Sequence, residues 1–179
     1  MTDGGRKMKP VRLVVASSAT ALASVAIGLA AGAGPAGAAV PACGNTSLDY
    51  GLSRTEGFAG HSAFVLEFRN HTHATCSLYG YPGLDAMASN GTVMAHAKRT
   101  LVGSPGTRRV LRVINIPPGG FASATVEWAN FNPVTSGPCA HSAGIRETAP
   151  NTTKIVPQRR SVGICSLEIH PTVLGWTGQ

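Results

Sequence analysis

The chain has 179 residues, of which 43% are hydrophobic and 13% are charged, and its formal net charge is +7 at pH 7. Without its N-terminal segment it has the length of one ordinary domain, and no internal repeat or linker divides it. A domain of that size buries roughly two thirds of the surface of its unfolded chain, so a core forms without a metal ion.

The N-terminal segment has the three parts of a secretory signal peptide. Four basic residues are followed by an apolar run, Leu13 to Ala33, and by Ala36-Gly37-Ala38, which satisfies the A-x-A cleavage rule. The run is long enough to span a bilayer, but it is rich in Ala, Gly, Ser and Thr and is followed by Gly and Pro. That composition favours a cleaved signal-peptide helix over a membrane anchor. We therefore predict a signal peptide over residues 1–39 and a single domain over residues 40–179.

Cleavage after Ala38, Ala39 or Ala42 satisfies the small-residue rule. Cys43 follows closely, so lipid attachment is an alternative. However, Pro41 fits a lipid-attachment box poorly, and a lipid on Cys43 would leave three cysteines for disulfides. We predict a secreted or extracytoplasmic cell-envelope protein that has no transmembrane span in its mature form.

The charge narrows the class of partner. Arg6, Lys7, Lys9 and Arg12 against Asp3 carry +3 of the total +7, which leaves +4 for the mature domain. Outside the cytoplasm the available polyanions are envelope polymers and lipid head groups. We predict that the protein has no nucleic-acid partner. The predicted partner is an unknown envelope component, namely an anionic polymer, a lipid surface or a protein. Basic clusters at residues 98–99, 108–112 and 159–160 fit an anion-binding patch, although we favour the protection of strand edges by charge.

Four cysteines lie in the predicted mature domain: Cys43, Cys76, Cys139 and Cys165. In an oxidising compartment they favour two disulfides, and the absence of a C-x-x-C pair argues against zinc-ribbon and thioredoxin-type sites. Three pairings are possible. We predict Cys43 with Cys76 and Cys139 with Cys165, because the alternatives would tie the two halves of the chain together through much longer loops.

Short alternating runs between Gly, Pro and Asn predict the strands. His61 to Arg69 is the clearest strand of the first half. Tyr81-Pro82-Gly83-Leu84 predicts a type II turn with a positive φ at Gly83, and Asn90-Gly91 predicts a hairpin. Loops are expected over residues 55–60 and 130–142. Further strands are expected at residues 48–52, 75–79, 84–88, 92–97, 109–114, 121–128, 145–148, 154–157 and 163–169.

The strand expected at residues 121–128 places small and large apolar side chains on one inward face, namely Ala122, Ala124, Val126 and Trp128. Seven to nine short strands with no helix beyond the signal peptide predict an all-β fold. The expected architecture is an immunoglobulin-like antiparallel β-sandwich with Greek-key links. A small closed barrel is the alternative.

Several motifs together resemble a known family. They are an asparagine that closes the strand before Cys76, the C-x-L-x-G-Y-P-G run at residues 76–83, Asn90-Gly91, the run from Pro118 to Trp128, and Cys139 with Cys165. This set resembles the actinobacterial secreted domain called domain of unknown function 4232 over nearly the whole mature chain. The resemblance implies an exported or lipid-anchored envelope protein with an immunoglobulin-like sandwich. It implies no established activity, so it assigns no catalytic or binding residue.

His71-Thr72-His73 is the strongest candidate for a metal site. On extended backbone an H-x-H pair points two imidazoles to one side, and His61 or His96 would complete a copper or zinc site. The expected loop position favours solvated histidines instead, since Met and Cys ligands do not cluster nearby. We predict no metal and no cofactor, and we keep an extracytoplasmic copper- or zinc-binding protein that uses His71 and His73 as the alternative.

No pattern indicates catalysis. The acidic residues are scattered singly, and the chain has no G-x-S-x-G nucleophile elbow. We predict a non-catalytic binding or structural module, not an enzyme, with no catalytic residue. A small secreted hydrolase whose triad assembles only in space is a second alternative. Trp128 is expected in the core, and Trp176 is expected to be an exposed contact residue.

Overall fold

Strands packed around one hydrophobic core make up the computed structural model, which describes residues 39–103 and 110–176. These residues contain thirteen strands and no helix. The strands are β1 Leu48–Leu52, β2 Glu56–Phe58, β3 His61–Asn70, β4 Cys76–Tyr79, β5 Gly83–Met87, β6 Val93–His96, β7 Lys98–Arg99, β8 Val113–Ile116, β9 Phe121–Ala129, β10 Gly144–Thr148, β11 Val156–Gln158, β12 Glu168–Ile169 and β13 Val173–Leu174. The predicted all-β sandwich is therefore confirmed for the described part of the chain.

The first sheet has seven strands. Its order is β1-β3-β9-β12-β7, with β2 added to β3 and β13 added to β9. The central β3–β9 pair is antiparallel over nine residue pairs, from His61 opposite Ala129 to Arg69 opposite Phe121. The pairing of β12 with β7 is parallel. This long central pair sets the register of the whole sheet.

The other strands form a four-stranded antiparallel sheet, β11-β10-β5-β6, and a two-stranded pair, β4–β8. The hairpin predicted at Asn90-Gly91 joins β5 and β6, and Gly91 has the positive φ of +83° that its turn requires. The chain passes from this sheet to the first sheet at Ala97, between β6 and β7.

The core consists of the inner faces of these sheets. The predicted inward face of β9 is confirmed, since its four apolar side chains are buried. Trp128 also depends on a glycine, because a Cβ at Gly163 would overlap its indole ring. The other buried strand residues of the core include Phe64, Leu66, Phe68, Leu78, Leu84, Ala86, Ile114, Ile116, Ile145 and Ile169.

Both disulfides form with the predicted pairing. Cys43 bonds to Cys76 with a Cα–Cα distance of 4.8 Å, and Cys139 bonds to Cys165 with a distance of 5.8 Å. The first bond fixes the entering chain beside β4, where the Cys43 N–H also donates to the Ser77 carbonyl at 2.9 Å. Residues 41–43 are therefore fixed beside β4 by backbone contacts with Ser77 and by the disulfide.

Asn70, the last residue of β3, is completely buried and its side chain joins three segments. Its Nδ2 donates to the carbonyls of Ala74 at 2.8 Å and Ile116 at 2.9 Å. Its Oδ1 accepts from the backbone N–H and the hydroxyl of Thr72. The amide thus connects β3, the loop that follows it and β8.

Some local predictions are wrong. The positive φ expected at Gly83 lies instead at Gly80, which has φ of +103°, because the extended backbone of β5 already begins at Gly83. The loop expected over residues 55–60 contains β2, which forms a hairpin with β3 through Ala59 and Gly60. The strand expected over residues 163–169 is reduced to β12.

Other predictions fall where the chain is not described. Residues 1–38 of the predicted signal peptide and residues 104–109, with Arg108 and Arg109 of a basic cluster, lie outside the described residues. The strand expected over residues 109–114 corresponds to β8, which begins later, at Val113.

Within the described residues, no helix has the length and apolarity needed to cross a membrane.

We expect Asn70→Ala to lower the free energy of unfolding by about 2–3 kcal/mol, because it removes the side-chain donor to the buried Ile116 carbonyl and the acceptor of the Thr72 N–H. Asn90→Ala is the matched control. Asn90 Oδ1 accepts from the N–H and the hydroxyl of Thr92, as Asn70 Oδ1 does from those of Thr72, but Asn90 is exposed. Urea unfolding followed by tryptophan fluorescence measures both variants. Equal losses in the two variants would contradict the proposed role of Asn70.

Candidate functional site

The histidines of the alternative metal-binding hypothesis do not come together at one site. His71 and His73 are exposed in the loop after β3, and the ring Nε2 of His71 is 2.6 Å from the Thr46 carbonyl oxygen. His61 begins β3, so ten residues of strand, roughly 30 Å long, separate it from His71. His96 lies on β6 in a different sheet. Among the residues that the structure describes, no three His, Cys, Asp or Glu side chains form a group that would hold a metal ion.

A charged row crosses the outer face of the four-stranded sheet. Asp85 of β5 lies opposite both His96 of β6 and Arg146 of β10. Its Oδ1 is 2.7 Å from His96 Nδ1, and its Oδ2 accepts from Arg146 Nη2 at 3.1 Å. Among the hydrogen bonds of the described residues, none joins His96 to a Ser or Thr hydroxyl. Within those residues, no hydroxyl is hydrogen-bonded to this pair in the way that a triad requires.

A second histidine and carboxylate meet on the outer face of the first sheet. His170 Nε2 lies 3.5 Å from Glu127 Oε1, and the two side chains are only 1% and 6% exposed. The backbone at Gly103 covers the pair so closely that a Cβ there would lie 3.0 Å from His170 Cε1. Because solvent barely reaches these groups, a substrate outside the protein has no access to them.

Glu147 is a buried carboxyl on the inner face of β10, where it shares that face with Ile145. Gln158 Nε2 donates to its Oε1 at 2.8 Å, whereas Oε2 has no hydrogen-bond partner among the described residues. Burial raises the pKa of Glu147 from 4.5 to about 7, and the hydrogen bond from Gln158 offsets part of that rise. The residue therefore gains its charge near neutral pH, inside the core.

A set of solvent-accessible side chains crosses the outer face of the first sheet at the end of β3. Asp49 lies opposite Arg69, and Arg69 lies opposite Phe121, on three adjacent strands. Trp176 follows on the far side, where the Gly175 N–H donates to the Phe121 carbonyl at 2.9 Å. We call Asp49, Arg69, Phe121 and Trp176 the aromatic row.

Contacts of Arg69, Phe121 and Trp176 hold these three side chains in place. The Arg69 guanidinium lies 6.0 Å from the centroid of the Phe121 ring, and its Nη1 donates to the Gly119 carbonyl at 3.1 Å. The rings of Phe121 and Trp176 meet edge to face with centroids 5.5 Å apart. Asp49 and Arg69 are exposed, Phe121 is half-buried and Trp176 is 42% exposed.

The sequence predicts only part of this arrangement. The expected placements of Trp128 in the core and Trp176 at the surface are both confirmed, with exposures of 3% and 42%. Arg69 and Phe121 were not predicted as a pair, since they are far apart in the sequence and only the β3–β9 register joins them. The pair of Glu127 and His170 was missed for the same reason.

Comparison with known proteins gives a family match and little else. A family model described as domain of unknown function (DUF4232) matches residues 43–172. No curated protein matches the chain. A solved structure of a selenomethionine-labelled β-glucosidase from Kluyveromyces marxianus matches with 9% identity and a TM-score of 0.28. That match covers 69% of this chain and 15% of the β-glucosidase chain, and at this TM-score it supports no conclusion.

We expect the stability of the protein to fall as the pH rises from about 4.5 to about 7. In that window the folded state keeps a proton on Glu147 that the unfolded chain has lost, so rising pH favours unfolding. A pKa difference of this size corresponds to a change on the order of 3 kcal/mol. Glu147→Gln should remove most of that slope, and urea unfolding at pH 5 and pH 8 measures it.

Glu56→Gln is the control for this measurement, because Glu56 is exposed on β2. It should keep the slope of the wild type. A Glu147→Gln variant whose stability falls with pH as steeply as that of the wild type would contradict the assignment.

Proposed function

The chain belongs to the family described as domain of unknown function (DUF4232), and on that premise we propose that it is a non-catalytic binding module of the cell envelope. The family name supplies no activity, so the proposal depends on the molecule itself. Two disulfides and no free cysteine among the described residues support folding in an oxidising compartment outside the cytoplasm.

The observation that carries the proposal is the aromatic row. Exposed Trp and Arg side chains contribute more than other residue types to binding energy at protein surfaces. Here the Arg69 guanidinium and the Phe121 ring are already fixed by Gly119 and Trp176. Binding of a ligand would therefore cost little side-chain entropy, because these side chains are already held in place.

The histidine and carboxylate pairs support a role without catalysis. His170 is buried under Gly103, and Asp85 uses both of its oxygens to bind His96 and Arg146. Neither arrangement presents an activated nucleophile to solvent, so binding is the better proposal.

Contacts of Pro41 and Cys43 restrict where the predicted signal peptide is cleaved. The Ser77 N–H donates to the Pro41 carbonyl at 2.8 Å, and the Cys43 sulfur is bonded to Cys76. Cleavage after Ala42 would remove the Pro41 carbonyl and its contact with Ser77, and a lipid on Cys43 would exclude its disulfide. The proposal is therefore a soluble exported protein that is cut after Ala38 or Ala39.

We expect the full chain, expressed in an exporting bacterial host, to yield a mature protein that begins at Ala39 or Val40. Intact mass spectrometry should find no lipid and four oxidised cysteines, because the first disulfide occupies Cys43. Free thiols in the exported protein, or a lipid-modified N-terminal Cys43, would refute this part of the proposal.

We expect the purified mature protein to be retained on isolated cell-wall or membrane fractions at moderate salt. The double variant Arg69→Ala/Trp176→Ala should be retained several-fold less, because it removes the exposed guanidinium and the indole of the aromatic row. Phe131→Ala is the control, since Phe131 is 60% exposed in the loop after β9 and lies outside the row. Absence of wild-type retention on both fractions would exclude an envelope-binding role.

A further inference from the structure

We propose that the aromatic row binds a neutral polysaccharide chain, because it places an exposed indole, a fixed guanidinium and a carboxylate side by side on one sheet face. This inference rests on the envelope-binding function proposed above and names the ligand of that surface.

The chemistry of the row matches the two kinds of surface that a sugar presents. A pyranose ring has an apolar face of C–H groups and an edge of hydroxyl groups. The indole of Trp176 offers a flat apolar surface for the first. Arg69 supplies N–H donors, and Asp49 supplies acceptor oxygens, for hydroxyl groups that both donate and accept.

The local charge favours a neutral ligand. Arg69 and Asp49 offset each other within the row, and Glu67 adds a second carboxylate on the same face of β3, two residues before Arg69. An anionic polymer or an anionic head group would meet both carboxylates. Other basic side chains of the described residues lie away from the row. Lys98 and Arg99 form β7 at the far edge of the sheet, and Arg160 is bound to Ser53 and Thr55.

The length of the row favours a chain over a single sugar. Neighbouring strands are about 4.8 Å apart, so Asp49, Arg69 and Phe121 together span roughly 10 Å across β1, β3 and β9. The Trp176 ring extends the row by a further 5.5 Å between ring centroids. Gly175, with φ of +69°, makes the turn after β13 that brings the indole to Phe121. Several linked sugar units are needed to cover this distance.

Affinity electrophoresis of the mature protein in gels that contain amylose, mannan or soluble xylan tests the proposal. At least one of these neutral polymers should slow the protein, and the affinity should be the same at low and high salt. We expect Trp176→Ala to weaken it at least about tenfold and Trp176→Phe to restore part of it. Phe131→Ala should behave as the wild type. The urea midpoint of each variant confirms that it is folded.

Sedimentation with phosphatidylglycerol vesicles is the competing arm. Vesicle binding that is lost at high salt, together with no retardation by any of the three polymers, would overturn the polysaccharide and assign a lipid surface instead. Retardation that Trp176→Ala leaves unchanged would overturn it as well. If the wild type is retained on envelope fractions but no polymer slows it, this inference fails while the proposed function stands. If neither occurs, both fail.

Discussion

The antiparallel pairing of β3 with β9 is the constraint on which the rest of the structure depends. Its nine residue pairs place Phe64, Leu66 and Phe68 on the same face as the small and large apolar residues of β9. Because side chains alternate along a strand, the same register fixes what lies on the other face. A shift of one residue would exchange the core with the outer surface, so the core and the aromatic row are positioned by one interaction.

The end of the β3–β9 pair is fixed by side-chain hydrogen bonds and a disulfide rather than by additional buried apolar surface. Asn70 closes β3 and binds the carbonyl of Ile116 in β8, while the Cys43–Cys76 disulfide ties the entering chain to β4. A buried amide with all its partners satisfied specifies one geometry, since any displacement leaves carbonyls unpaired. These contacts fix the backbone that carries Arg69 and Phe121, and so they fix the position of the aromatic row. The Gly119 carbonyl that accepts from Arg69 lies in the same part of the fold.

The sequence predicts features that depend on local pattern and misses those that depend on long-range register. Alternation was enough to place β3 and β9, Asn90-Gly91 was enough for the hairpin, and loop length was enough for the disulfide pairing. The shortest strands, β7, β12 and β13, have too few residues to show any period, and they form only because β9 and its neighbours offer an edge. Glu147 was missed because a carboxyl in an alternating run is normally assigned to the solvent face.

The aromatic row combines residues inside the part of the chain that the family model matches with one residue outside it. Asp49, Arg69 and Phe121 lie within the matched residues 43–172, on strands whose register the core determines. Trp176 lies beyond that range and reaches Phe121 through the backbone contact of Gly175. The matched domain therefore supplies the charged groups and the Phe121 ring, and the segment after it supplies the indole. Because Trp176 takes no part in the β3–β9 pairing, we expect substitutions of its side chain to test the proposed binding separately from the register of the sheet.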